Sequence, residues 1–150
     1  MKNKILAIIP AAGIGERFLS KDPKQYHKIG HSTLIEKTIS IFTSSELISN
    51  IIVPIHKDDK NIQNQDFYKN PKIKFVNGGD SRARSVLSAL ESEDLTNYDY
   101  VLTHDVARPN ISIDHIRDIV NEIQNKGSDC IFFYTPLSES IKKISNEEDV

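Results

Sequence analysis

ILAIIPAAGIGERFLSKDPKQY, residues 5–26, runs from a short apolar segment into a glycine turn and then past two cations, Arg17 and Lys24. Five apolar residues halted by Pro10 read as a strand buried on both faces, the kind found in parallel sheets covered by helices. Gly13 and Gly15 let the chain turn without a Cβ in the way, so backbone N–H groups can approach an anion. Arg17 offers a bidentate fork to phosphate oxygens, and Lys24 a movable point charge. This order suits a polyphosphate. It is not the GxGxxG of dinucleotide folds, because Arg17 or Phe18 stands where a small third residue is needed, and no GxxxxGK[ST] occurs. On this stretch alone, an ordinary strand turn followed by surface cations remains open.

Similar apolar runs recur at Ile51–Ile55, Ile73–Val76, Tyr100–Leu102 and Cys130–Tyr134, each bounded by turn residues. Helical patterns separate them. One opens at Ser32, the expected N-cap, with Leu34, Ile35, Ile39 and Phe42 on a common stripe. A second runs from about Ser81 to Ser92 with Val86, Leu87 and Leu90 facing inward, and a third from Ser112 to about Lys126 with Ile113, Ile116, Val120 and Ile123 at three- and four-residue spacing. Gly127 follows as its C′ residue. Strands alternating with helices predict an α/β sandwich with right-handed crossovers, whose ligands lie outside the carboxyl ends of the strands. The polar segment Lys57–Pro71 reads as a short surface helix or loop, and the pattern weakens from Leu137 onward.

With 150 residues, 38% apolar and with charges of both signs interspersed, the chain supports one hydrophobic core and shows no sign of disorder. A formal net charge of −2 argues against coating nucleic acid or an anionic membrane and favours small-molecule partners. The lone cysteine, Cys130, is expected in a buried strand. The basic, apolar start resembles a signal peptide, yet its run meets Pro10 and the glycine turn too early, so the first strand of a cytoplasmic protein is expected. No run approaches the roughly 18 apolar residues of a membrane helix.

Two further clusters carry chemistry. Gly78-Gly79-Asp80-Ser81-Arg82-Ala83-Arg84-Ser85 follows a strand and leads into a helix, so its backbone groups and the Ser85 hydroxyl suit a pyrimidine base edge. A plain loop with Asp80 or Ser81 as N-cap is compatible with that role. Thr103-His104-Asp105-Val106-Ala107-Arg108-Pro109 ends another strand, where Asp105 is placed for a divalent metal or a substrate hydroxyl and Arg108 for a second phosphate. His104 reads as a satisfied polar residue rather than a base. The remaining histidines show no metal-ligand spacing.

Taken together and in order, PAAGIGERF, PKQY, GGDSRARSV and HDVARP resemble the 2-C-methyl-D-erythritol 4-phosphate cytidylyltransferase family. The resemblance implies a Rossmann-like, glycosyltransferase-A-like nucleotidyltransferase fold, a three-layer sandwich with a mostly parallel sheet. It implies transfer of a cytidylyl group from CTP to the polyol phosphate, with Mg²⁺ or another divalent cation, in a homodimer. Nucleotide contacts then fall on Ala11, Ala12, Gly13, Ile14 and Gly15, and on Gly79, Asp80, Arg82 and Ser85. Arg17 and Lys24 take the catalytic roles, Asp105 the metal and sugar phosphate, and Arg108 and Ser140 the substrate. Val106 replaces the family's usual alanine, while PLSESIKK stands for PVxDTxKR, with Glu139 for Asp and Ser140 for Thr. The expected organisation is one nucleotidyltransferase domain over 1–150, incomplete at its C-terminal end, where residues 137–150 begin a dimerisation arm. A ribitol 5-phosphate cytidylyltransferase and an inactive nucleotide-binding fragment are the alternatives; PAAG and RSV favour the methylerythritol enzyme, and THD suits either.

Overall fold

The computed structural model describes residues 3–13 and 23–136. Ile14, Gly15, Arg17 and Ser140 of the candidate site therefore lie outside the described residues, as do 137–150.

Strand β1 (Ile5–Ile8) is apolar at every position and no side chain in it is more than 1% exposed, so both of its faces are covered. After a single 3₁₀ turn at Lys24–Tyr26 comes a small hairpin, β2 (Lys28–Ile29) with β3 (Ser32–Thr33), turned by Gly30 at φ 68°. Helix α1 (Leu34–Ser44) follows, and its N-cap is Thr33 instead of the expected Ser32. The reason is spacing. Only Thr33 has a glutamate three residues on, so the Glu36 amide donates to Thr33 Oγ1 while the Thr33 amide donates to Glu36 Oε2, a closed capping box. The predicted stripe Leu34, Ile35, Ile39 and Phe42 is buried.

Strands β4 (Ile48–Ile55) and β5 (Ile73–Asn77) precede helix α2 (Arg82–Glu91), and β6 (Tyr100–Thr103) precedes helix α3 (Ile113–Lys126). The four long strands form one parallel sheet in the order β5-β4-β1-β6. The α/β architecture with a parallel sheet is as expected. Leu6, Ile8 and Ile52 pack with Ala89 of α2, with Val86 and Leu90 against them. Leu87, expected inward, is 52% exposed. The buried line of α2 runs through Ser85 and Ala89, and a residue two positions from either lies on the far side of a 3.6-residue helix. Between β4 and β5 the chain makes turns and a 3₁₀ segment at Ile62–Asn64, anchored by buried Ile62.

The chain divides into two units, 1–118 and 119–150, the division falling within α3. In the first unit Ile116 is buried; in the second Val120 is buried, and the Gly127 amide, at φ 59°, donates to the Ile123 carbonyl and ends the helix. Cys130–Tyr134 corrects the sequence reading. No strand is assigned there, Cys130 is exposed, and Phe132, Phe133 and Tyr134 are 59–79% exposed. Apolar β-forming residues state a preference for a strand, whereas the ladder needs a pairing edge, and the parallel sheet of the described residues is built from β5, β4, β1 and β6. No helix among the described residues is long and apolar enough to cross a membrane.

Candidate active site at the carboxyl ends of the strands

Because β1, β4, β5 and β6 are parallel, the loops that follow them leave the same edge of the sheet. The β1 ladder is carried past the strand by Ile9 and Ala11, whose amides donate to the Ile52 and Pro54 carbonyls. Pro54, in an inner strand, has no amide to give and pairs with this segment through its carbonyl. Ala11 and Ala12 are buried, whereas Gly13 is exposed and a Cβ there would meet nothing within 4 Å. The turn thus opens outward at Gly13.

The β5 loop presses against this turn. A Cβ on Gly78 would lie 2.4 Å from the Ala12 Cβ and 3.0 Å from Ser85 Oγ, so only glycine permits the approach. Gly79 is equally constrained, its hypothetical Cβ 2.4 Å from that of Arg84. Ser85, 2% exposed, accepts from the Gly79 amide at 3.1 Å and donates to the Ser81 carbonyl at 2.9 Å. Its hydroxyl therefore shapes the loop. Ser81 caps α2 by accepting from the Arg84 amide, and Asp80 forms an exposed ion pair with Arg84.

At the end of β6, the His104 amide donates to the Ile8 carbonyl, which ties this loop to β1. Asp105 is gripped from two sides: Arg82 Nε reaches Oδ1 at 2.7 Å and Arg108 Nε reaches Oδ2 at 3.0 Å. Partial burial works to raise its pKa. The Arg82 hydrogen bond and the charges of Arg82 and Arg108 outweigh that and hold the carboxyl below its ordinary range. His104 is shifted down chiefly by burial; the Arg108 carbonyl and Asp105 oppose the shift, and the charges of Arg108 and Arg82 assist it. Its Nε2 lies 2.9 Å from the Arg108 carbonyl, an acceptor, so Nε2 carries the hydrogen. The satisfied role expected of His104 is the one found. Val106 is buried, and its carbonyl accepts from Thr38 Oγ1 of α1 at 2.8 Å.

Lys24 is exposed on its 3₁₀ turn, between Pro23 and the buried pair Gln25 and Tyr26. Gln25 Nε2 donates to the Ala11 carbonyl at 2.8 Å, and Tyr26 Oη donates to Asp59 Oδ2 at 2.7 Å. A cavity of about 310 Å³ opens beside them, with Gly13, Pro23 and Gln25 on one side and His56 and Asp58 to Asn61 on the other. Gln25, Asp59 and Thr38 carried no signal of their own in the sequence, because they act through partners distant in it. Among the described residues no group of three or more His, Cys, Asp or Glu side chains gathers that could hold a metal.

The profile of the family described as "IspD: 2-C-methyl-D-erythritol 4-phosphate cytidylyltransferase" matches residues 5–150. A Haemophilus ducreyi protein of that name is 35% identical over 99% of this chain and 66% of its own length. Among solved structures, the Francisella tularensis 2-C-methyl-D-erythritol 4-phosphate cytidylyltransferase superposes with a TM-score of 0.65 at 39% identity, covering 85% of this chain and 54% of that one. The 4-diphosphocytidyl-2C-methyl-D-erythritol synthase of Anaerococcus prevotii gives 0.68 at 31% identity, over 82% and 52%. The chain spans less than two thirds of the length of the curated relatives it matches. With a family profile matched from β1 to the last residue, and with the described parts of the four motifs gathered about the turn that follows β1 and the loops that follow β5 and β6, the chain belongs to the 2-C-methyl-D-erythritol 4-phosphate cytidylyltransferase (IspD) family.

Proposed function

We propose that the protein transfers a cytidylyl group from CTP to 2-C-methyl-D-erythritol 4-phosphate, giving 4-diphosphocytidyl-2-C-methyl-D-erythritol and pyrophosphate for isoprenoid precursor synthesis. The observation that carries this reading is the junction of three loops: Gly78 against Ala12, and Arg82 bonded to Asp105. A phosphate oxygen of the polyol bonds to the α-phosphorus of CTP, and the bridging oxygen leaves with pyrophosphate. Catalysis rests on positioning and charge neutralisation. In this reading Ala11, Ala12, Gly13, Ile14 and Gly15 wrap the nucleotide, and Gly79 and Asp80 present the base-reading loop that Ser85 braces. Arg17 and Lys24 neutralise the transferring phosphate, while Asp105, Arg108 and Ser140 meet the sugar phosphate. Arg82 and Arg108 already pair with Asp105, so an incoming phosphate competes with that carboxylate for the same guanidiniums.

One carboxylate completed by phosphate oxygens suits Mg²⁺, which seldom needs an all-protein cage. Asp105 would hold it, and bound there it would supply charge neutralisation at the transferring phosphorus. A cytoplasmic homodimer belongs to the same reading.

Calorimetry with CTP followed by pyrophosphate release with each polyol phosphate tests the proposal. Binding with release on methylerythritol phosphate supports it. Release on ribitol 5-phosphate alone would replace the substrate, and binding without release would leave a nucleotide-binding fragment. Absence of nucleotide binding overturns the whole reading. In the intact protein, Lys24→Ala is expected to lower turnover by about 3 kcal/mol or more in barrier terms and CTP binding by less.

A further inference from the structure

We propose that Gln25 is a positioning residue that acts through Lys24, locking that cation to the nucleotide turn at a fixed separation. This rests on the assignment of Lys24 to the transferring phosphate. A glutamine next to a lysine in a polar segment would ordinarily be solvated, yet Gln25 is 4% exposed. Its Nε2 donates at 2.8 Å, out of solvent, to the carbonyl of Ala11. Ala11 has already given its amide to Pro54 of β4 at 2.7 Å. Ala11, at the start of the turn, is thus held through its amide by the sheet and through its carbonyl by Gln25.

The 3₁₀ turn at Lys24–Tyr26 that carries Gln25 is fastened at two more points. Its backbone closes through Tyr26 N to Pro23 O and His27 N to Lys24 O, and the His27 carbonyl accepts from the Leu34 amide at the start of α1. Tyr26 Oη donates to Asp59, whose other oxygen accepts the Asn61 and Ile62 amides and so fixes the β4 loop. Residues on a 3₁₀ helix are spaced about 120° apart, so burying Gln25 and Tyr26 leaves the third face, and solvent, to Lys24. Lysine is a flexible point charge, and the place where its stem begins decides where that charge can reach. Gln25 lines the cavity alongside Gly13, which puts the tether at the border of the turn that Lys24 must serve.

A double-mutant cycle in the intact protein tests this. Gln25→Met keeps the length and removes the donor. It is expected to lower kcat about tenfold or more, as a displacement near 1 Å does, with the CTP dissociation constant from calorimetry changed less than about threefold. In a Lys24→Ala background the same substitution should change kcat less than about twofold, because the group being positioned is gone. An equal factor in both backgrounds, the mark of a structural role, overturns the proposal. Gln25→Glu adds a pH arm. Its carboxylate cannot donate but its acid form can, so kcat relative to the parent should recover as the pH falls. This arm decides if Gln25→Met does not fold: recovery supports the proposal, and a pH-independent deficit overturns it. A Lys24→Ala protein with undiminished turnover is a separate outcome, one that removes the parent reading and this one with it.

Discussion

Gly78 stands where a methyl group has no room. An added Cβ would press on the Ala12 Cβ at 2.4 Å, well inside contact distance, and the nearest further atoms are Ser85 Oγ and a backbone carbonyl of β4. Gly78→Ala should therefore push the base-side loop away from the phosphate-side turn, destabilising the fold by about 1–3 kcal/mol in urea unfolding and weakening CTP binding. Unchanged stability would show that the two loops do not touch. His104 supports a pH prediction. Burial, foremost, holds its folded pKa below the ordinary 6.5, so between those values the unfolded chain binds more protons and stability falls as the pH drops below 6.5. His104→Gln keeps a donor for the Arg108 carbonyl and removes the titration, so its stability should decline less over that window; parallel curves would refute the assignment. At this scale the sequence was legible where a residue type has one use. A glycine pair after a strand marks a close approach. Gln25 and Ser85 were less legible because an amide or hydroxyl names no partner, and theirs are a carbonyl 14 residues away and the groups of its own loop.

Among the elements, α1 matters beyond its packing. Thr38 is completely buried and donates to the Val106 carbonyl, in the loop that carries Asp105 and Arg108. Thr38→Val keeps the shape and strands that carbonyl, which should cost about 1–3 kcal/mol on thermal or urea unfolding. A variant as stable as the parent would mean that the bond contributes nothing net. Helix periodicity exposed the buried stripe of α1 and the extent of α3, since three- and four-residue spacing of Ile, Leu and Val has few other causes. It misplaced Leu87, because in α2 small Ser85 and Ala89 occupy the closest approach to the sheet and small residues leave no mark on a hydrophobic pattern.

For the whole molecule, the parallel sheet was legible from the Ile- and Val-rich runs, and its order follows from the chain reversing direction of growth on either side of β1. The run Cys130–Tyr134 has the same composition and forms no strand among the described residues. Composition states a preference for the ladder, while pairing needs a partner edge. One consequence is measurable: Cys130 is exposed, so in the 150-residue chain its thiol should react with Ellman's reagent to about one equivalent without denaturant. Reaction only after unfolding would restore the buried strand.

The central place of β1 also bears on how the chain comes to be folded. Strand β1, made before the other strands of the sheet, must pair with β4 on one side and β6 on the other, and the Lys4–Asp99 bond beside the second pairing joins residues 95 apart in sequence. At about 5–20 residues per second, the most apolar segment waits on the order of 5–20 s for its second neighbour. Over that interval Ile5–Ile8 has an open edge, and the chain is most exposed to misassociation before Asp105 and Arg108, in the loop after β6, have been made.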